Sequence, residues 1–204
     1  MYKLCRNCRK RITIDDALVI NEYSFCDEDC VVAYSMSEKA RKEAKKRERA
    51  DLRSRKEALK NLSQWKKEAQ KAVNAYVRCR DRYKTCASCD KVLQTTDGLG
   101  GYFDAGHFIP RGSGNPRGNA LTFRTIQIWG QCKSCNDHKG GAYSEYRKKL
   151  ITRIGLEKVE YLENYDFIDP LTKRPGVRKW TIPELKRIKE LFNRKRRLYE
   201  RKFR

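Results

Sequence analysis

Between Ser37 and Lys84 the chain contains neither proline nor glycine. Past Leu52 its apolar residues, Leu59, Leu62, Trp65, Ala69, Ala72, Val73 and Tyr76, recur mostly at steps of three and four. Side chains at those steps share one helical face, so the pattern predicts a long amphipathic helix over 37–80. Its apolar stripe has two available partners, the rest of the chain or a second copy, and a homodimer is among the expected assemblies. Two later stretches also read as helix. "YSEYRKKLITRIGLEKVEYLE" is largely helical in character, and "WTIPELKRIKELF" opens on Thr181-x-x-Glu184, a capping-box pattern. No internal repeat of 20 to 50 residues is apparent.

The first 36 residues lack this periodicity. "CRNC" and "FCDEDC" enclose "RITIDDALVI", which reads as a knuckle, a short hairpin and a second cysteine pair entering the helix "DEDCVVAYSM". Residues 81–143 differ again, holding ten glycines, two prolines and four of the nine cysteines, with room for a pair of glycine-broken strands. The loop "IPRGSGNPRGN" would link them. It lacks the Gly-Lys-Ser/Thr ending of a nucleotide-binding loop and is expected to be a flexible linker. The expected organisation is 1–36, an N-terminal finger; 37–80, a basic helix; 81–150, a cysteine-bound module; and 151–204, a basic helical region.

The cysteines change the picture of the two small modules. Eight of nine fall into close pairs: Cys5/Cys8, Cys26/Cys30, Cys86/Cys89 and Cys132/Cys135, with Cys79 left over as a helix residue. Disulfides are rare in the cytosol, and paired knuckles are the geometry of tetrahedral thiolate zinc. Two structural zinc ions are therefore expected, and the short first module would hardly fold without its own.

Charge narrows the partner. The chain carries +22 at neutral pH. Half of this lies in 37–84, with eighteen Lys/Arg against seven Asp/Glu, and the last twenty residues add ten Lys/Arg against two Glu. Such an excess implies a polyanionic partner, and DNA leads because each neutralised phosphate releases a counterion. No apolar run approaches the roughly 20 residues of a membrane-spanning helix and no signal peptide opens the chain, so a cytosolic protein without a membrane partner is expected. The finger's Asp15, Asp16, Asp27, Glu28 and Asp29 argue against a DNA grip there and favour a protein contact or a structural role.

Both histidines of the chain, His107 and His138, sit in the second cysteine module. Four thiolates fill the zinc tetrahedron and leave no water site, so chemistry needs other groups. Asp104 and the Asn136 carbonyl are hard oxygen donors suited to Mg²⁺ or Mn²⁺, and a neutral His107 can take a proton from water. His138 is a further candidate for the divalent ion, for phosphate, or for zinc in place of a thiolate. Arg111, Arg117 and Lys139 are candidates for holding a DNA strand. Phosphodiester hydrolysis needs this division between a base and a cation.

The order C-x2-C … D-A-G-H … Q-C-x2-C-N-x-H-K-x-G resembles the HNH, or ββα-metal, endonucleases. More closely, "AGHF", "QCKSCNDHKGG", "YRKKLITRIGLEKVEYLE" and "WTIPELKRIKELF" resemble the NinG (Rap) recombination endonuclease family of lambdoid phages, from about Cys86 to the C-terminus. The resemblance implies an α+β fold in which a small zinc-bound ββα-metal finger is flanked by long basic helices. It also implies metal-dependent cleavage of branched, Holliday-junction-like recombination intermediates in the bacterial host cytoplasm. By position His107 matches the general base and Asn136 the metal-binding residue, with Asp104 chosen as second ligand three residues before the histidine. The asparagine that steadies the histidine-bearing loop has no direct match: Gln127 falls in its place, and Asn119 is the nearest actual asparagine. Two rival functions remain: a non-catalytic zinc-stabilised nucleic-acid-binding protein, and an HNH nuclease of plain duplex.

Overall fold

A computed structural model describes residues 1–94, 103–112 and 114–202. Residues 95–102, before the first strand of the second cysteine module, and Ser113, in the expected linker, lie outside the described residues. The chain is mixed α and β and divides into two units, Met1–Lys60 and Asn61–Arg204.

In the first unit two antiparallel pairs form, β1 (Tyr2–Leu4) with β2 (Arg11–Thr13) and β3 (Leu18–Ile20) with β4 (Tyr23–Phe25). They lead into α1 (Glu28–Met36), whose first turn is capped by Asp27 accepting from Cys30 N–H at 2.7 Å. The core is small, with Cys5, Ile12, Phe25 and Tyr34 buried together. Around it Glu43, on α2 (Glu38–Ala58), accepts from Arg6 at 2.6 Å, Tyr34 at 2.6 Å and Tyr23 at 3.0 Å. These bonds fasten the start of α2 to the finger. No residue of α2 is buried, and i,i+4 ion pairs such as Glu38–Lys42 and Asp51–Arg55 support it.

The single helix expected over 37–80 is two helices. Asn61 caps α3 (Leu62–Asp81) through a reciprocal box, with Gln64 N–H donating to its side chain at 3.0 Å and its own N–H donating to the Gln64 side chain at 2.9 Å. Asn-x-x-Gln stops the preceding helix by offering the backbone a competing set of hydrogen bonds, with no need of proline or glycine. Leu52, Leu59 and Leu62 are exposed, so the packed stripe begins at Trp65.

In the second unit β5 (Phe103–His107) pairs antiparallel with β6 (Ile128–Cys132), in register Phe103↔Cys132 to His107↔Ile128. An isolated pair of strands is marginal in water, and this one is covered on both faces. Ala105 and Ile128 pack with Trp65, Ala69, Val73 and Val77 of α3 and with Leu185 and Phe192 of α7 (Ile182–Lys202), which starts on the Thr181–Glu184 box. On the other side Phe108, Ile109 and Leu121 pack with Tyr146 and Leu150 of α5 (Tyr143–Ile154) and Val159 and Leu162 of α6 (Leu156–Glu163). Gly155, at φ +89°, makes the break between those helices. The boundary between the two units falls at 60/61, and α5 runs across 150. Within the expected linker, Asn115 caps a short helix at Pro116–Ala120 by accepting from Gly118 N–H at 2.9 Å. None of the described helices is long and apolar enough to cross a membrane.

Buried polar groups lock the strand pair. Asp81 accepts from Gly130 N–H at 2.9 Å while paired with Arg80. The Tyr146 oxygen accepts from Trp129 N–H, and its O–H faces the Gly106 and Gln127 carbonyls, all at 3.1 Å. Burial drives the Tyr146 pKa far upward, so the phenol stays neutral. Tyr146→Phe strands those backbone groups away from water and is expected to cost about 1–3 kcal/mol, read as a lower urea midpoint at unchanged m-value.

Candidate metal centres and a cation-lined groove

Each four-cysteine set is assembled as the spacing predicts. Cys5, Cys8, Cys26 and Cys30 form one cluster and Cys86, Cys89, Cys132 and Cys135 another, the sulfurs of each lying within 4.8 Å of one another. Both could hold a metal ion. Backbone amides already aim at sulfur, as Cys132 N–H at 3.3 Å and Ser88 N–H at 3.4 Å do toward Cys86 Sγ. Burial raises the Cys5 thiol, but N–H groups of Cys8, Cys26 and Asn7 outweigh it and bring its pKa to about 6. Cys79 and the exposed His138 stand outside both clusters.

His107 ends β5 with its Nε2 3.2 Å from the Thr122 carbonyl. Burial, and after it the charge of Arg111, pull its pKa from 6.5 down to about 4. The imidazole is therefore neutral through the physiological range. Fully buried Gln127 holds the turn that follows: its Oε1 accepts from Ile109 N–H at 2.8 Å and its Nε2 donates to the Leu121 carbonyl at 2.9 Å. One amide thus fixes the histidine loop against the chain that presents Thr122. Asn119 is employed elsewhere, accepting from Lys66 Nζ at 2.8 Å and donating to the Arg178 carbonyl at 2.7 Å.

Asp104 and Asn136 do come together. Asn136 donates to Asp104 Oδ2 at 3.3 Å, and Lys133 Nζ pairs with the same oxygen at 2.6 Å. His107 is not with them. Side chains three apart on a strand point to opposite faces, and the surroundings agree. A Cβ on Gly106, on the Asp104 face, would lie 2.2 Å from Gln131 Oε1, whose amide is bonded to Ser88 and Gly141. Ala105, on the His107 face, packs against α3. The set His107, Asp104 and Asn136 expected as one site is thus divided by the pleat. Arg117 is also diverted, donating to the Tyr165 carbonyl at 2.9 Å, whereas Lys139 is exposed.

On the His107 side lies a groove of about 790 Å³ between α3 and the Arg111–Thr122 segment, with Thr122 in its wall. Its lining includes Lys66, Lys67, Lys71, Arg78 and Arg111 and, among the described residues, no carboxylate. Among the described residues, none of these five cations has a carboxylate within ion-pair distance. Gln70 Oε1, also in the wall, is buried without a hydrogen-bond partner. Of these residues only Arg111 stands out from sequence. The available signal was the spacing of Lys66, Gln70, Asn74 and Arg78, a polar row at four-residue steps beside the apolar stripe.

A family profile described as "Bacteriophage Lambda NinG protein" matches residues 2–202. Protein ninG of Escherichia phage lambda is 38% identical over 144 residues, covering 71% of this chain and 61% of that protein. Protein ninG of Escherichia phage 933W is 37% identical over 144 residues, with 71% and 62% covered. The Salmonella phage P22 protein of the same name is 38% identical over 144 residues, again with 71% and 62% covered. The chain thus spans less than two thirds of the length of these curated relatives. No solved structure matches it. With the profile running over almost its full length, the chain belongs to the NinG family.

Proposed function

We propose that this protein is a DNA endonuclease that hydrolyses phosphodiester bonds with the help of a divalent ion, acting on branched recombination intermediates. The observation that carries the reading is a neutral, nearly buried imidazole adjoining a groove with five cations and no acid. Lys66, Lys67, Lys71, Arg78 and Arg111 would track the phosphate backbone, and His107 would accept the proton of the attacking water. To do so its ring exchanges the Thr122 carbonyl for that water and carries its own proton on Nδ1, leaving the Nε2 lone pair free. Gln127 positions the loop and does not touch the reacting atoms.

The thiolate sets fit zinc, a borderline-soft ion that four sulfurs enclose completely. Held there, it would tie the ends of the module together and leave no open position for chemistry. A Mg²⁺ or Mn²⁺ ion supplies charge stabilisation at the phosphate when bound. Asp104, Asn136 and the exposed His138 offer it donors, but Lys133 already neutralises the carboxylate. The pleat also turns that face away from His107, so the donor set does not fit an ion shared with the histidine. The same separation favours a second reading, a zinc-stabilised DNA-binding protein without catalysis. A host-cytoplasmic setting accords with either reading.

A cleavage panel separates the two. Four-way junction and matched linear duplex are incubated without added metal, with Mg²⁺ and with Mn²⁺. The wild type should cut the junction in the presence of metal, and His107→Ala should lose roughly 100-fold or more. Equal rates for both proteins would remove His107 from the mechanism, and no cleavage by either supports the binding protein. Cutting duplex as fast as junction would leave a nuclease without branch preference. Because a base works only when unprotonated, activity should fall as pH drops through about 4, the folded value for His107. A limb near 6.5 would mean that the ring is solvated in the working state. Native mass spectrometry should find two zinc ions per chain, and chelation should unfold the finger, whose core has so few residues.

A further inference from the structure

Between α6 and α7 the chain forms a small hairpin closed by the bridge Ile168↔Pro175. Its turn is tightly specified. Asp169 Oδ1 accepts from Leu171 N–H at 2.8 Å and Thr172 N–H at 3.1 Å, Asp169 N–H donates to the Arg174 carbonyl at 2.9 Å, and Gly176 N–H donates to the Phe167 carbonyl at 2.9 Å. The inner face is anchored by the Arg178 guanidinium, 5.3 Å from the Phe167 ring and 4.8 Å from that of Trp180.

The outer face is apolar. Ile168 and Pro175 are opposed across the bridge, and Val177 follows on the same side by strand alternation. Ile168 is 49% exposed, Val177 52%, and Leu171, at the tip, 92%. Single exposed apolar residues need no explanation, but this is a row, held on an ordered turn, and it ends in the cation-lined groove, whose wall includes Val177. Lys173 and Arg174 flank the tip, both exposed, with no carboxylate at ion-pair distance among the described residues. An apolar edge flanked by cations, leading through Val177 into a cation-lined groove, matches a ligand with flat apolar faces on an anionic backbone. Nucleic acid has both, and its base faces are accessible where stacking is interrupted.

We propose that hairpin 167–176 is a wedge whose Leu171 tip stacks on nucleobases at an interruption in duplex DNA while the adjoining groove holds the backbone. The proposal rests on the DNA-directed reading of the groove but not on catalysis. Lys173 and Arg174 contact the flanking phosphates, and Leu171 distinguishes an interrupted stack from a continuous one.

The test uses the full chain without added divalent ion, so that binding is read apart from cleavage. The probe is a four-way junction carrying 2-aminopurine beside the branch point, compared with a linear duplex carrying it in the same sequence. Wild type should raise the junction fluorescence as the base unstacks. Leu171→Ser should lose most of that rise and bind the junction about tenfold more weakly, with duplex affinity within twofold of wild type. Leu171→Met, still apolar, should keep both. A Leu171→Ser protein with the wild-type rise overturns the wedge, as does equal weakening on junction and duplex. Loss confined to binding of anionic lipid vesicles would assign the ridge to a membrane surface and also overturn it. Wild-type protein that raises the fluorescence yet cuts nothing with Mg²⁺ or Mn²⁺ sinks the endonuclease reading alone, and the converse sinks the wedge alone.

Discussion

Two five-residue strands cannot stand alone in water, and the second unit is organised around keeping β5 and β6 buried on both faces. Helices α3 and α7 cover one side and α5 and α6 the other, so backbone groups that water would otherwise satisfy need partners from side chains. Asp81 reaches in from α3 to Gly130, and Tyr146 reaches in from α5 to Trp129. Each helix is thereby fixed to the strand pair by a polar bond as well as by apolar contact. Such bonds specify register, because shifting a strand by one residue would leave the phenol and the carboxylate unpaired in a dry interior.

That arrangement determines where charge and chemistry go. One side of the pleat carries Asp104, which Lys133 and Asn136 contact. The other faces α3 and holds a histidine kept neutral by burial, next to a groove where cations accumulate without acids. Positive charge is costly to concentrate, and here no carboxylate among the described residues lies within ion-pair distance of it, which is the physical basis for reading the groove as a site for an anionic polymer. The wedge hairpin continues the same surface, with apolar side chains where a soluble protein would ordinarily place polar ones.

The first unit follows a different economy. Its core is four buried residues around a cysteine cluster, and the Glu43 hub of two tyrosines and an arginine joins it to a helix that buries nothing. A four-cysteine cluster that could hold a metal ion, together with charge-assisted hydrogen bonds, takes the place of a large hydrophobic core. The exposed Leu18, Val19 and Ile20 of β3 lie on this module.

Sequence alone determined the local and covalently near features: the four cysteine pairs, the Thr181–Glu184 cap and the helices with clear periodicity, while it left open whether Gln127 or Asn119 steadies the histidine loop. These depend on spacing along the chain, and spacing survives folding. Its misreadings have the same origin. Asn61 ends a helix that reads as continuous because a side-chain cap competes as well as any proline, and Asp104 reads as a partner of His107 on donor chemistry, which carries no information about the face it occupies. Only the tertiary structure decided that the pleat sends those two side chains to opposite faces, that α3 turns its lysines toward Arg111, and that hairpin 167–176 leads through Val177 into the wall of their groove. Which face a strand residue occupies, and which helix lies across from it, follows from burial of the whole unit, and no short window of residues contains that information.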